Sequence, residues 1–140
     1  MASTTRILDL LDTPMSIPEG SFKPEPGTVQ NSDIVLRGLG FSYPNRDPVF
    51  TDLDLTIKAN QTLGVVGSTG AGKTTLVRLL LRFVDPTSGS VEWAGQPTDS
   101  WTLESLRANI SLVGQQITLF PTSILENIRY GRPEATEEDV

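Results

Sequence analysis

The sequence predicts an α/β fold, and two patterns in it support that prediction. Apolar and polar residues alternate over Val49–Ile57, which is typical of a strand with one face in water. Farther along, the apolar run Gln61–Val66 leads straight into a glycine-rich loop, and Lys73–Phe83 then has the pattern of a helix. With 140 residues, the chain has room for one modest domain.

The remaining elements divide the chain into an N-terminal part and a domain. Residues 1–32 are expected to comprise a short helix at Thr4–Leu11 and a linker rich in proline and glycine. The domain is expected over residues 33–140. Its other predicted elements are strands at Ile34–Tyr43, Ser90–Ala94 and Ile110–Val113, helices at Leu103–Ala108 and Ser123–Tyr130, and the start of a helix at Glu134–Val140.

The composition limits the possible partners and metal sites. The net charge of −6 leaves no broad basic surface for a nucleic-acid backbone, so nucleic acid is not expected as a partner. Cysteine and histidine are both absent, so any metal must be held by oxygen ligands, which suits Mg²⁺. Neither a secretory signal nor a run of 18 apolar residues occurs, and this segment is therefore expected to be soluble.

The glycine-rich loop Gly67–Thr74 fits the pattern G-x-x-x-x-G-K-S/T of a Walker A phosphate-binding loop. Glycine permits positive φ angles, which allow successive backbone N–H groups to point at phosphate oxygens. In such a loop Lys73 reaches the β- and γ-phosphates, and the Thr74 hydroxyl binds Mg²⁺. The alternative is a glycine-rich turn without a ligand. The apolar run before the loop and the helix after it favour nucleoside triphosphate binding.

Further motifs lie on both sides of the loop. Phe41-Ser42-Tyr43-Pro44 precedes it, and Val113-Gly114-Gln115-Gln116, Leu119-Phe120 and Ile124–Gly131 follow it. Together with the loop, this series resembles the nucleotide-binding domain of ATP-binding cassette (ABC) transporters. It is most similar to the exporter type, in which membrane and nucleotide domains share one chain. The resemblance covers Asp33–Val140 and implies a P-loop ATPase core with an antiparallel β subdomain.

The resemblance also assigns roles to side chains. Tyr43 would stack on adenine, although an aromatic residue in a strand is otherwise usually a packing residue. Gln115 would contact Mg²⁺ and the attacking water and connect the nucleotide to the membrane domain, with Gln116 as the alternative. Gly114 stands where proline is common in the family. The implied site contains ATP and Mg²⁺, with Lys73 and Gln115 in catalysis, Thr74 and Gln115 on the metal, and Tyr43, Gly67, Ser68, Thr69, Gly70, Ala71, Gly72, Lys73, Thr74 and Thr75 around the nucleotide.

Three later motifs of the family do not occur in this sequence. They are the LSGGQ signature, the Walker B strand that ends in aspartate and glutamate, and the switch histidine. The sequence therefore resembles the N-terminal part of a nucleotide-binding domain, a truncated fold in which Leu63–Val66 should keep an unpaired edge. We expect the chain alone to bind ATP without turning it over.

The implied function is the ATPase motor of an ABC exporter, which drives transmembrane transport at the cytoplasmic face of a membrane. The implied partners are the membrane domain and a second nucleotide-binding domain in a dimer sandwich. Two alternatives remain: a soluble ABC-type ATPase of translation or DNA repair, and an inert binding-only fragment. Five large apolar residues are interpreted as core and not as ligand platforms: Leu79, Leu80, Phe83, Trp93 and Trp101.

Overall fold

The computed structural model describes residues 17–116 and 118–140, so the predicted helix at Thr4–Leu11 lies outside the described residues. The elements are β1 (Ile34–Ser42), β2 (Pro48–Ile57), α1 (Lys73–Leu80), β3 (Ser88–Trp93), β4 (Gln96–Pro97), a 3-10 turn (Thr98–Ser100), α2 (Leu103–Arg107) and α3 (Ile124–Arg129). Within these described ranges, no helix has the length and apolar character needed to cross a membrane.

The strands form one antiparallel sheet in the order β2-β1-β3-β4. Its centre is β1, in which Ile34 lies opposite both Ile57 of β2 and Trp93 of β3. The predicted antiparallel β subdomain is therefore confirmed. The alternation in β2 is confirmed too, because its aspartates at 52 and 54 are exposed while the leucines between and beyond them are half-buried.

Two hydrophobic clusters hold the fold together. In the first, α1 packs on the sheet and buries Leu76 and Leu79 against residues of β1 and β3: Leu36, Leu39, Phe41 and Val91. In the second, Val29, Trp93, Trp101 and Leu106 are buried together. The two tryptophan rings stack with their centroids 5.8 Å apart, which confirms both as core residues. Each such buried apolar side chain contributes about 1.5–3 kcal/mol of transfer free energy.

The prediction that Phe83 is a core residue was wrong, since its ring is 47% exposed. The helix α1 ends at Leu80 instead of continuing to Phe83. Arg82 then adopts a left-handed conformation, with φ of 50°, which turns the chain away from the helix axis. The Arg107 guanidinium lies over the exposed Phe83 ring, 5.1 Å from its centroid.

Two predicted strands, Gln61–Val66 and Ile110–Val113, are not strands in the structure. An extended segment becomes a strand only when another segment supplies hydrogen-bonding partners for its backbone. No strand in the part of the chain that the structure describes lies alongside either segment, and Val66 is 94% exposed. Apolar residues of both segments, Leu63, Val65, Leu112 and Val113, line an open apolar groove beside α1.

The segment Glu134–Val140, predicted as the start of a helix, contains turns and no regular helix in the structure. Its backbone is held by side chains instead. The Asp139 carboxylate accepts hydrogen bonds from the Thr136 N–H and hydroxyl, both at 2.9 Å, and pairs with Arg132 at 3.0 Å. The Asp139 N–H also donates to the Thr136 hydroxyl oxygen at 3.3 Å, so these two residues are paired in the pattern of a capping box, as at the start of a helix. The helix α3 likewise begins with a capping box, between Ser123 and Glu126.

Candidate nucleotide-binding site

The phosphate loop is positioned by its glycines and by the strand β2. Gly70 and Gly72 have φ angles of 87° and 89°, a conformation that side chains disfavour. A Cβ atom on Gly72 would lie 2.7 Å from Cγ1 of Val49, so no larger residue fits there. Nothing would approach a Cβ atom on Gly70 within 4 Å, so the backbone at this turn faces open space.

The loop ends at the N-terminus of α1, where Gly72 is the N-cap residue. Backbone N–H groups of the first helical turn have no partner within a helix, and the helix dipole makes this end positive. The lysine Lys73 is half-buried, and its Nζ donates to the carbonyl oxygens of Gly67 and Ser68, both at 2.6 Å. The ammonium group thus lies over the loop, where phosphate oxygens can replace these carbonyls.

Tyr43 follows β1 and reaches α1 through its hydroxyl group. The hydroxyl lies 3.3 Å from Oγ1 of Thr75 and accepts a hydrogen bond from Nη1 of Arg78 at 3.1 Å. The ring packs edge-on against Phe41, with the centroids 4.9 Å apart. The hydrogen bond with Thr75, followed by that from Arg78, lowers the pKa of Tyr43 because both stabilise the phenolate. Contacts with β1 and α1 therefore fix the direction of this ring.

One cleft of about 440 Å³ joins these groups. It is lined by Tyr43, Arg46, Asp47, Val49, Thr69, Gly70, Gly72, Lys73, Thr74, Thr75 and Gln115. The structure thus brings the predicted adenine residue, most of the phosphate loop and Gln115 to one place. The neighbouring Gln116 is not among the lining residues, and neither are Gly67, Ser68 and Ala71 of the loop.

The sequence analysis missed three residues of this cleft: Arg46, Asp47 and Val49. They belong to the turn and to the first residues of β2, immediately after Tyr43. The sequence feature that could have predicted them is their position directly after Tyr43. This feature alone does not predict a binding residue, because a turn rich in polar residues is usually only a surface connection.

Comparison with known proteins identifies the family. The family model described as ABC transporter matches residues 50–140. The chain belongs to the ABC transporter family. Among its relatives, a fatty acid ABC transporter ATP-binding/permease protein of Mycobacterium bovis is 40% identical over 141 residues. The match covers 100% of this chain and 22% of that protein.

Other members of the ABC transporter family agree in sequence and structure. The ABC transporter B family member 3 of Dictyostelium discoideum is 41% identical over 79% of this chain and 8% of its own length. A solved structure of a bacterial Atm1-family ABC exporter with ATP bound matches 98% of this chain and 24% of that chain, with a TM-score of 0.82 and 31% sequence identity. The predicted ABC ATPase fold of the P-loop class is thus confirmed, and the chain spans less than a quarter of the length of these relatives.

The cleft of this ABC family member has suitable chemistry for a nucleotide and Mg²⁺. Its volume lies within the range of about 300–1,000 Å³ that is typical of ligand pockets. Thr74 and Gln115 both line the cleft, and they carry hydroxyl and amide oxygens of the hard type that Mg²⁺ prefers. No group of three or more acidic residues suited to a metal occurs in residues 17–116 and 118–140. A Mg²⁺ site does not require such a group, because this ion is commonly held by few protein ligands together with water and phosphate.

Proposed function

We propose that this chain binds ATP with Mg²⁺ and forms part of the ATPase motor of an ABC exporter. The observation that carries the proposal is the single cleft that contains Tyr43, the phosphate loop and Gln115. A flat aromatic ring, a cationic anion-binding loop and an amide are the groups that a purine triphosphate with a metal ion requires. The relatives support the ATP-binding role, because they are ABC transporters and one solved relative has ATP bound.

Each group has a distinct role in this proposal. The ring of Tyr43 stacks on adenine, and its hydroxyl is tied to α1, which limits the entropy lost on binding. Backbone N–H groups of Gly67–Thr75 and the N-terminus of α1 bind the phosphates, and Lys73 exchanges its two carbonyl partners for phosphate oxygens. Thr74 and Gln115 hold Mg²⁺, which when bound neutralises phosphate charge.

The relatives support the exporter role. The relatives that match nearly all of this chain include an ATP-binding/permease protein and an Atm1-family exporter. This chain spans only 22% and 24% of their lengths. We therefore propose that the complete protein contains a membrane domain and acts at the cytoplasmic face of a membrane, with a second nucleotide-binding domain as partner. Exposed apolar side chains on α3 and just after it, Ile124, Ile128 and Tyr130, provide a surface for the membrane domain.

The chain alone should bind ATP without hydrolysing it. Phosphoryl transfer needs a metal held on both sides, a group that orients water and positive charge opposite the γ-phosphate. Lys73, Thr74 and Gln115 provide only part of this arrangement. Asp85 lies in the connection between α1 and β3 and pairs with Arg82, and Asp99 lies in the 3-10 turn. Histidine does not occur in the sequence.

Replacement of Lys73 by alanine tests the proposal. The lost charge-assisted hydrogen bonds to phosphate are worth about 1.5–3 kcal/mol, so MgATP affinity should fall by roughly tenfold or more. Isothermal titration calorimetry on the wild type and on Lys73→Ala measures this difference. Lys23→Ala is the matched control, because Lys23 is exposed and does not line the cleft.

Equal affinity in the wild type and Lys73→Ala would refute the phosphate-loop role. Phosphate release is measured on the same preparations. Steady turnover by the wild-type chain that Lys73→Ala abolishes would contradict the second part of the proposal, because it would require a complete catalytic site within these residues.

A further inference from the structure

The segment Ile17–Phe22, here called the strap, is docked onto the domain through its backbone. The N–H groups of Ser21 and Phe22 both donate to the carbonyl oxygen of Ser100, at 2.9 and 2.8 Å. The Thr102 N–H donates to the carbonyl oxygen of Phe22 at 2.9 Å. The composition of this segment predicts a linker, but its backbone is paired as in a short parallel bridge.

The strap packs tightly against the backbone of Ser100 and Trp101 at Gly20. A Cβ atom on Gly20 would lie 2.3 Å from the carbonyl carbon and oxygen of Ser100 and 2.4 Å from the oxygen of Trp101. The Phe22 ring packs edge-on against Trp101, with the centroids 5.2 Å apart, and Trp101 is fully buried. The contact is therefore close enough that a single methyl group on Gly20 would force the strap away.

A buried arginine joins the strap to the helix of the phosphate loop. Arg82 follows α1 and is only 2% exposed. Its guanidinium donates to the carbonyl oxygen of Pro18 at 2.7 Å and to that of Trp101 at 3.1 Å, and it pairs with Asp85 at 2.9 Å. A buried charge is stable only when its hydrogen-bonding groups have partners, so loss of the Pro18 contact makes this position of Arg82 unfavourable.

The same end of α1 is held by a second arginine. Nη2 of Arg107 donates to the carbonyl oxygen of Arg82 at 2.8 Å, and its Nε donates to that of Leu81 at 3.3 Å. These bonds fix the C-terminal end of α1 to α2, next to the segment on which the strap lies. The other end of α1 begins at Lys73. A rigid helix thus connects the strap contact to the phosphate loop.

We propose that the strap and the phosphate loop are energetically coupled, with Arg82 as the positioning residue that transmits the position of the strap to α1. Docking of the strap favours the loop conformation that binds MgATP, and bound MgATP in turn favours docking, since coupling between two sites is reciprocal. In the complete protein, the strap would then be a second connection between preceding residues and the nucleotide, besides Gln115. The inference rests on the proposed function only for the identity of the ligand.

Gly20→Ala separates the strap from the domain without changing Arg82. We expect release of the strap to expose Trp101, which shifts its fluorescence emission to longer wavelength, and to lower MgATP affinity at least about fivefold. Gly131→Ala is the matched control, because a Cβ atom there meets nothing within 4 Å. If Gly20→Ala shows the emission shift but binds MgATP as tightly as wild type, the coupling does not exist.

Hydrogen exchange on the wild-type chain gives a second test that needs no variant and therefore decides the case even if Gly20→Ala does not fold. MgATP should slow exchange at the amides of Ser21 and Phe22 more than at the turn amides of Ala135 and Val140. Equal slowing at both places would overturn the inference. Wild-type chain that binds no MgATP would instead refute the proposed function, and the coupling with it.

Discussion

At the scale of single residues, the clearest question is what Tyr43 does. Its hydroxyl is tied to Thr75 and Arg78 on α1, while its ring lines the cleft that contains the phosphate loop. The arrangement sets the distance between a flat ring and the phosphate loop, and this supports the adenine-binding role proposed here.

Tyr43→Ala should lose about 1 kcal/mol of MgATP binding free energy, the usual value of an aromatic stacking pair. Tyr43→Trp should retain the affinity, because an indole ring also stacks. Calorimetric titration of both variants measures the effect, and Tyr130→Ala is the control at the only other tyrosine of the sequence. If Tyr43→Ala binds MgATP as tightly as the wild type, Tyr43 is a packing residue only.

At the scale of elements, one ion pair ties the two ends of the β1–β2 hairpin together. Nζ of Lys58 lies 2.7 Å from Oδ2 of Asp33, and the Ala59 N–H donates to Oδ1 at 2.9 Å. The hydrogen bond from Lys58 is the largest cause that lowers the pKa of Asp33, followed by that from Ala59. Because the pKa is lowered in the folded state, the carboxylate stabilises the folded state at pH values above its ordinary pKa of 3.8. This stabilisation is lost as the pH falls through the folded-state pKa.

Asp33→Asn should therefore lower the melting temperature at pH 7, and its difference from the wild type should shrink as the pH falls below about 3.8. Thermal unfolding followed by circular dichroism over this pH range measures the effect. The control is Asp52→Asn, at an exposed position in β2 whose positive φ asparagine tolerates. A difference between Asp33→Asn and the wild type that stays constant with pH would show that the ion pair does not stabilise the hairpin.

At the scale of the whole molecule, we propose that two surfaces connect the site to the rest of the transporter. One is the strap, and the other contains Gln115 and the exposed segment Thr122–Tyr130. The chain spans less than a quarter of the length of its ABC relatives, and several of its apolar side chains are exposed. The proposed coupling role of Gln115 therefore has to be tested in the complete transporter.

In that complete protein, Gln115→Ala should lower transport and transport-stimulated ATPase activity and leave MgATP affinity nearly unchanged, because the phosphate loop supplies most of the binding contacts. Gln116→Ala is the matched control, since Gln116 does not line the cleft. ATPase assays in the presence and absence of transported substrate measure both. If Gln116→Ala uncouples the protein and Gln115→Ala does not, the roles of the two glutamines are exchanged.

The sequence predicted the structure best where the local conformation depends on residues that are close together in the chain. Glycines at 70 and 72 predict a loop with positive φ angles, and the structure has them. The start of α1 at Lys73 and the cap of α3 at Ser123 follow from local rules too. The sequence was misleading where an element needs a distant partner. Gln61–Val66 has the composition of a strand but pairs with no other strand among the described residues.

By itself, the sequence determined the phosphate loop, the class of fold and the family resemblance, because a motif and its flanking residues are local in the chain. Only the tertiary structure decided that Tyr43, Lys73 and Gln115 line one cleft, since these residues are far apart in sequence and meet through the packing of α1 on the sheet. It also decided that the strap is docked. Its composition predicts a linker, and its position is fixed by backbone hydrogen bonds with Ser100 and Thr102 and by Arg82, a buried charge that finds its partners only in the folded chain.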